Sequence, residues 1–112
     1  MKKVYIAHPL LGDMDRKNPN LRVLYGNIES VEDICCRIVK EHPDILPLSP
    51  ISAFSFLDAF DRTGSMGLCY KLLSLADELW VFGDWMGSEG CLMEIRWARE
   101  MGIPVELCGG AK

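Results

Sequence analysis

One acid in the chain stands where acids are rarely put. In GSEGCLMEIRWAREMG, residues 87–102, helical spacing brings Cys91, Ile95, Ala98 and Met101 onto one face, and Glu94 falls in the middle of that apolar stripe. Glu89, Arg96, Arg99 and Glu100 lie on the opposite side. An acid in the early turns of a helix interacts well with the macrodipole, and a buried acid can also belong to a structural ion pair. The macrodipole, however, would favour an acid on the polar side equally, where water solvates it. Turning it into the apolar stripe raises its pKa unless it gains a partner. Proteins tend to retain such a group where it performs chemistry. Just ahead of it, Ser88 is a good N-cap residue. With Gly90 it opens a turn whose N–H groups can also receive an anion.

Other chemistries find no pattern to rest on. The chain has no Ser-His-Asp arrangement, no H-E-x-x-H, no G-x-G-x-x-G and no G-x-x-x-x-G-K-[ST]. His42 reads as a solvated helix end. His8, at the end of the first strand, reads equally as a loop former or a ligand contact. What remains is a carboxylate nucleophile or base beside a helix N-terminus. The five cysteines include no C-x-x-C pair, so neither a zinc site nor a redox dithiol is indicated. Free thiols in apolar runs behave as small hydrophobes and suit a reducing cytoplasm.

The formal net charge of -4 and pI of about 5.1 speak against a nucleic-acid polymer as partner, while leaving small phosphorylated ligands open. The N-terminal apolar run, broken by His8 and Pro9, is too short for a signal peptide or a membrane span, so no membrane partner is expected.

The elements that must position Glu94 follow from the pattern. A chain of 112 residues that is 49% hydrophobic suits one domain, residues 1–112. Residues 3–7, KVYIA, read as a strand, and residues 8–20 as a long loop. Residues 24–41 show helical spacing. Residues 44–48 read as a second strand, and residues 49–65 as a second long loop with a helical turn near 53–60. Residues 66–77 read as a helix, 78–82 as a strand, 87–102 as the helix of Glu94 and 103–107 as the last strand. This β-α-β-α-β-α-β alternation predicts a small flavodoxin-like three-layer α/β fold. Its four- to five-stranded parallel sheet would carry helices on both faces. Ligands bind such sheets beyond the C-terminal strand ends, where the loop from His8, the loop from Ser49 and the 83–87 turn converge.

At this point the residues resemble a known family. LADELWVFGDWMGSEGCLMEIRWAREMGIPV is similar to the C-terminal half of the nucleoside 2-deoxyribosyltransferase-like superfamily. The likeness is closer still to a branch of small uncharacterised bacterial and phage domains. Its S-x-G-x-x-x-E motif, with a small residue four positions on, is met by Ser88, Gly90, Glu94 and Ala98. The resemblance implies that Glu94 attacks the anomeric carbon of a 2-deoxyribosyl group and that Tyr5 touches it. It further implies that Ser88, where nucleoside transferases carry an aspartate, favours a nucleotide over a nucleoside. No metal or organic cofactor is implied, and a homodimer or higher homo-oligomer is. The ligand contacts expected on this basis are His8, Pro9, Gly12, Asp84, Trp85, Ser88 and Gly90, with Trp85 stacking on a base or meeting a neighbouring subunit.

One departure stands out. The family places a base-assisting aspartate where this chain has Cys69, and a thiol cannot take the role of a carboxylic acid. Either the leaving base is activated otherwise, the chemistry has drifted, or the domain only binds. Asp58 and Asp61 lie in the preceding loop without a spacing rule to assign them. Asn27 matches an asparagine of the uncharacterised branch, and a residue at a helix start is its plain reading. Two functions are therefore expected side by side. One is cleavage of the N-glycosidic bond of a nucleoside or nucleotide through Glu94 and Tyr5; the other is a non-catalytic nucleotide-binding module. A purely structural partner protein is weakened by two long loops at one edge.

Overall fold

The structure, a computed structural model, describes residues 1–11, 18–58 and 61–109, with Asp58 seen by its backbone alone. The elements follow in the order β1 (Lys2–Ala7), α1 (Leu21–Glu41), β2 (Ile45–Leu48), α2 (Pro50–Asp58), α3 (Arg62–Leu73), β3 (Glu78–Val81), a 3-10 turn (Trp85–Gly87), α4 (Glu89–Met101) and β4 (Val105–Leu107). Among the described residues these form one four-stranded parallel sheet in the order β2-β1-β3-β4.

That order explains the layers. The chain steps from β1 to β2 in one direction, then crosses back over β1 to reach β3 and continues to β4. Right-handed crossovers put the helix of the first step on one face and the helices of the next two steps on the other. The side chains obey this. Val4 and Ile6 of β1 point to α1 and meet Ile34 and Ile38. Tyr5 and Ala7, alternating with them, point to the other face and meet Leu73 of α3 and Cys91, Ile95 and Ala98 of α4. The reversal of direction leaves a crevice between the C-terminal ends of β1 and β3.

Helix boundaries are set by local hydrogen bonds. Asn20 caps α1, its Oδ1 accepting from the N–H groups of Arg22 and Val23. Ser88 caps α4, its Oγ accepting from the Cys91 N–H at 3.2 Å. Gly102 ends α4 in the left-handed conformation, φ 75°. The stretch 49–65, expected as a loop with one helical turn, is instead two helices. Ser49 Oγ accepts from the Ser52 N–H with Pro50 in the first helical position, and Asp61 Oδ1 accepts from the Gly64 N–H. α3 accordingly starts before the expected Met66 and ends at Leu73. Asp77, beyond it, accepts from the Lys3 N–H at 2.8 Å and so keys the entry of β3 to β1.

Candidate active site

Glu94 sits in the second turn of α4, pointing at the sheet, and only 6% of it is exposed. From the sheet, Tyr5 of β1 reaches back; it is wholly buried and donates its hydroxyl to the Glu94 carboxylate. The pair forms because the inward residue of β1 and the inward face of the α4 helix meet across the same layer. Burial pushes the Glu94 carboxyl from its ordinary 4.5 up to about 7, against the Tyr5 hydrogen bond and the Arg62 charge, which both pull it down. The Tyr5 hydroxyl is pushed well above its ordinary range by burial first and the Glu94 charge next, so it remains a donor through neutral pH. Cys69 of α3 lies within hydrogen-bonding reach of the same hydroxyl.

Glu94 opens onto a cleft at the C-terminal edge of the sheet. Its walls come from three directions: His8, Leu10 and Leu11 after β1; α2 and α3; and the start of α4. The cleft volume is about 60 Å³. Established ligand pockets run to roughly 300–1,000 Å³, so the cleft as it stands admits a group the size of a phosphate, not a whole nucleotide.

His8 is buried at the cleft edge, and its ring is held from both sides. Nδ1 stands 2.7 Å from the Pro9 carbonyl and Nε2 3.2 Å from Ser30 Oγ. A carbonyl only accepts, so Nδ1 carries the proton and, in the neutral ring, Nε2 accepts from Ser30. Burial lowers its pKa, keeping the neutral form. His8 thus shapes the loop, and it also lines the cleft. Gly83, at φ 70°, is needed here, since a Cβ would lie 3.0 Å from His8 Nε2 and from Pro9 Cδ.

The structure brings Glu94, Tyr5, His8, Ser88 and Gly90 together, with all but Tyr5 lining the cleft. Pro9 stays behind the cleft wall against Gly83. Asp84 is exposed ahead of the 3-10 turn and outside the cleft lining. Trp85 is outside it too. Its indole N–H donates to the Gly109 carbonyl at 2.8 Å and its ring packs on the α4 side of the core, an arrangement unsuited to stacking on a ligand at Glu94. Gly12 lies outside the described residues.

Asn27 donates to the Leu10 carbonyl at 2.7 Å, pinning the start of the β1–α1 loop to α1. Asp61 serves as the α3 cap. The other two indoles are half-buried. Trp80 packs on the α1 face of the core, and Trp97 packs on the α4 side with its ring edge-to-face with Tyr70.

Sequence reasoning missed Arg62, which opens α3 and lines the cleft beside Glu94. The signal for it was the Asp61 cap, which marks the next residue as the first of a helix facing the site. It also missed the α2 wall, whose Ser49-Pro50 start was in plain view.

The family model described as "Domain of unknown function (DUF7768)" matches residues 2–108. No curated protein matches the chain. Among solved structures the fold is similar to that titled "2-desoxiribosyltransferase from Leishmania mexicana", with a TM-score of 0.67 at 13% sequence identity, covering 97% of this chain and 65% of that one. The likeness is one of fold, and this chain spans only 65% of the other's length.

Proposed function

Since the chain belongs to the DUF7768 family, whose description carries no activity, its site must speak for its chemistry; we propose that it cleaves the N-glycosidic bond of a (deoxy)nucleoside 5′-monophosphate, with Glu94 as nucleophile. The observation that carries this reading is the buried Glu94 carboxyl on the cleft wall with the Tyr5 hydroxyl donated to it. The fold likeness to a 2-desoxiribosyltransferase supports the reaction class.

With its midpoint near 7, Glu94 is present as carboxylate in substantial amount at neutral pH and is poorly hydrated, which favours attack. One carboxylate oxygen bonds to the anomeric carbon while the C–N bond breaks. The bonding pair leaves with the base, which takes a proton from water. Tyr5 keeps the carboxylate oriented throughout. Water, or a second base, then attacks the same carbon, the ester bond breaks, and Glu94 is regenerated with net retention of configuration.

Ser88, as cap acceptor, keeps its own O–H proton to donate. With the N–H groups that open α4 it would hold the 5′-phosphate. A cleft of about 60 Å³ encloses only part of a nucleotide, so it must widen or leave the remainder outside. A homo-oligomer in a cytoplasmic setting belongs to the same proposal.

A second reading, a nucleotide-binding module without turnover, is favoured by one observation. Cys69, at the position where the resemblance implies a base-assisting aspartate, lines the cleft with a thiol instead. Incubation with a panel of deoxynucleoside 5′-monophosphates, followed by chromatography for free base, separates the two. Base release that disappears in Glu94→Gln supports catalysis. Tight binding without release supports the module, and the absence of both contradicts each.

A further inference from the structure

Gly90 stands one turn ahead of Glu94, on the same face of α4. A Cβ at Gly90 would lie 3.3 Å from one terminal nitrogen of Arg62 and 3.8 Å from the other. The guanidinium therefore rests over the bare backbone of Gly90, at the first turn of α4, in the cleft that Glu94 lines. We propose that Arg62 is a positioning residue: seated on Gly90, its guanidinium joins α3 to the first turn of α4 and favours the anionic form of Glu94 against the burial that opposes it. The Ser88-x-Gly90-x-x-x-Glu94 spacing thus puts a glycine at the contact, where a Cβ would press the guanidinium back by a few tenths of an ångström.

The groups facing Glu94 leave the role to Arg62. From β1, Tyr5 is a neutral donor whose pKa is raised well above its usual value. From α4 itself, the Cys91 thiol is pushed up to about 12 by burial and stays neutral. From the loop after β1, His8 is shifted toward its neutral form. From α3 come Cys69 and Arg62, while α2 lines the cleft with Pro50, Ile51, Phe54 and Ser55. Among the described lining residues Arg62 is thus the fixed cation, and its charge draws the Glu94 carboxyl down against burial. The inference rests on the site reading only for its catalytic consequence; the ionisation itself is a property of the free protein.

The test is direct titration of the Glu94 carboxyl by carbon-13 NMR in wild-type protein, Arg62→Gln, Arg62→Lys and Gly90→Ala, with Glu94→Gln identifying the resonance. Arg62→Gln is expected to raise the midpoint by about one pH unit. Arg62→Lys should restore most of the difference, and Gly90→Ala should raise the midpoint by less than Arg62→Gln. An unmoved midpoint in a folded Arg62→Gln protein overturns the proposal. If that variant does not fold, an unmoved midpoint in Arg62→Met, which keeps the apolar stem and removes the charge, does so. These results stand whether or not any nucleotide is cleaved, so a silent base-release assay leaves them intact.

Discussion

The two faces of the sheet are built from the same central strands and differ in what they bury. Towards α1 the buried residues are aliphatic, Val4, Ile6, Ile34, Ile38 and Ile45, with Cys35, Trp80 and Phe82 half-buried against them. Towards α3 and α4 the aliphatic packing is interrupted by a phenol, a carboxyl and two thiols, from Tyr5, Glu94, Cys69 and Cys91. Consecutive residues of β1 serve opposite purposes, because a strand alternates its side chains. The buried residues of the α1 face carry no titratable group. The α4 face holds a group whose ionisation opposes folding and which, on the reading above, does the chemistry.

The sharpest separation of the two faces is in turnover. Glu94→Gln should lower base release by roughly 10³-fold or more. Ile34→Ala, on the other face, should leave the rate per folded molecule unchanged. Chromatographic assay of both variants checks this, and an equal loss in both would erase the distinction.

Stability should behave in the opposite way. Ile34→Ala removes a buried side chain and should lose about 2–4 kcal/mol, by the same amount at acid and neutral pH. Urea denaturation at several pH values measures it.

Glu94→Gln should gain stability, and only above the acid range. A carboxyl whose midpoint is 4.5 when exposed and about 7 when folded binds its proton more tightly in the folded state. Folding stability therefore falls as pH rises from 4.5 to about 7, and the loss is complete above that. At roughly 1.4 kcal/mol per pH unit the loss is about 3 kcal/mol. The variant should thus exceed wild type by up to about 3 kcal/mol at about pH 8 and match it near pH 4. A pH-independent difference would place the effect in packing instead.

The finest cut is within the pair. Tyr5→Phe removes one hydrogen bond to a charged group and should slow base release by about 10- to 100-fold. Because that bond lowers the Glu94 midpoint, the rise of activity with pH should move to higher pH. An unchanged profile would mean that Tyr5 is packing only.

Much of this architecture can be read from the chain before any coordinates. The short β-branched and aromatic runs KVYIA and ELWVF, the α1 spacing of Val31, Ile34 and Ile38, and the Gly102 stop are local patterns, and local patterns survive folding. Glu94 is legible for the same reason, as a polar residue breaking a helical stripe. The α2–α3 segment is less so, because its apolar residues lack a clean period and the helices are announced by caps. Two features are out of reach of pattern altogether. The seating of Arg62 on Gly90 joins two helices distant in the chain. The tie from Trp85 to Gly109 likewise takes an edge-loop indole away from the cleft.

The central claim is that the Glu94 carboxylate bonds to the sugar. Mixing the protein with a deoxynucleoside 5′-monophosphate it cleaves, quenching in acid within the first turnover and mapping peptide masses tests this directly. The account predicts a deoxyribosyl-phosphate adduct on the peptide containing Glu94, and none in Glu94→Gln. Release of base from Glu94→Gln at the wild-type rate, with no adduct in either protein, would contradict it.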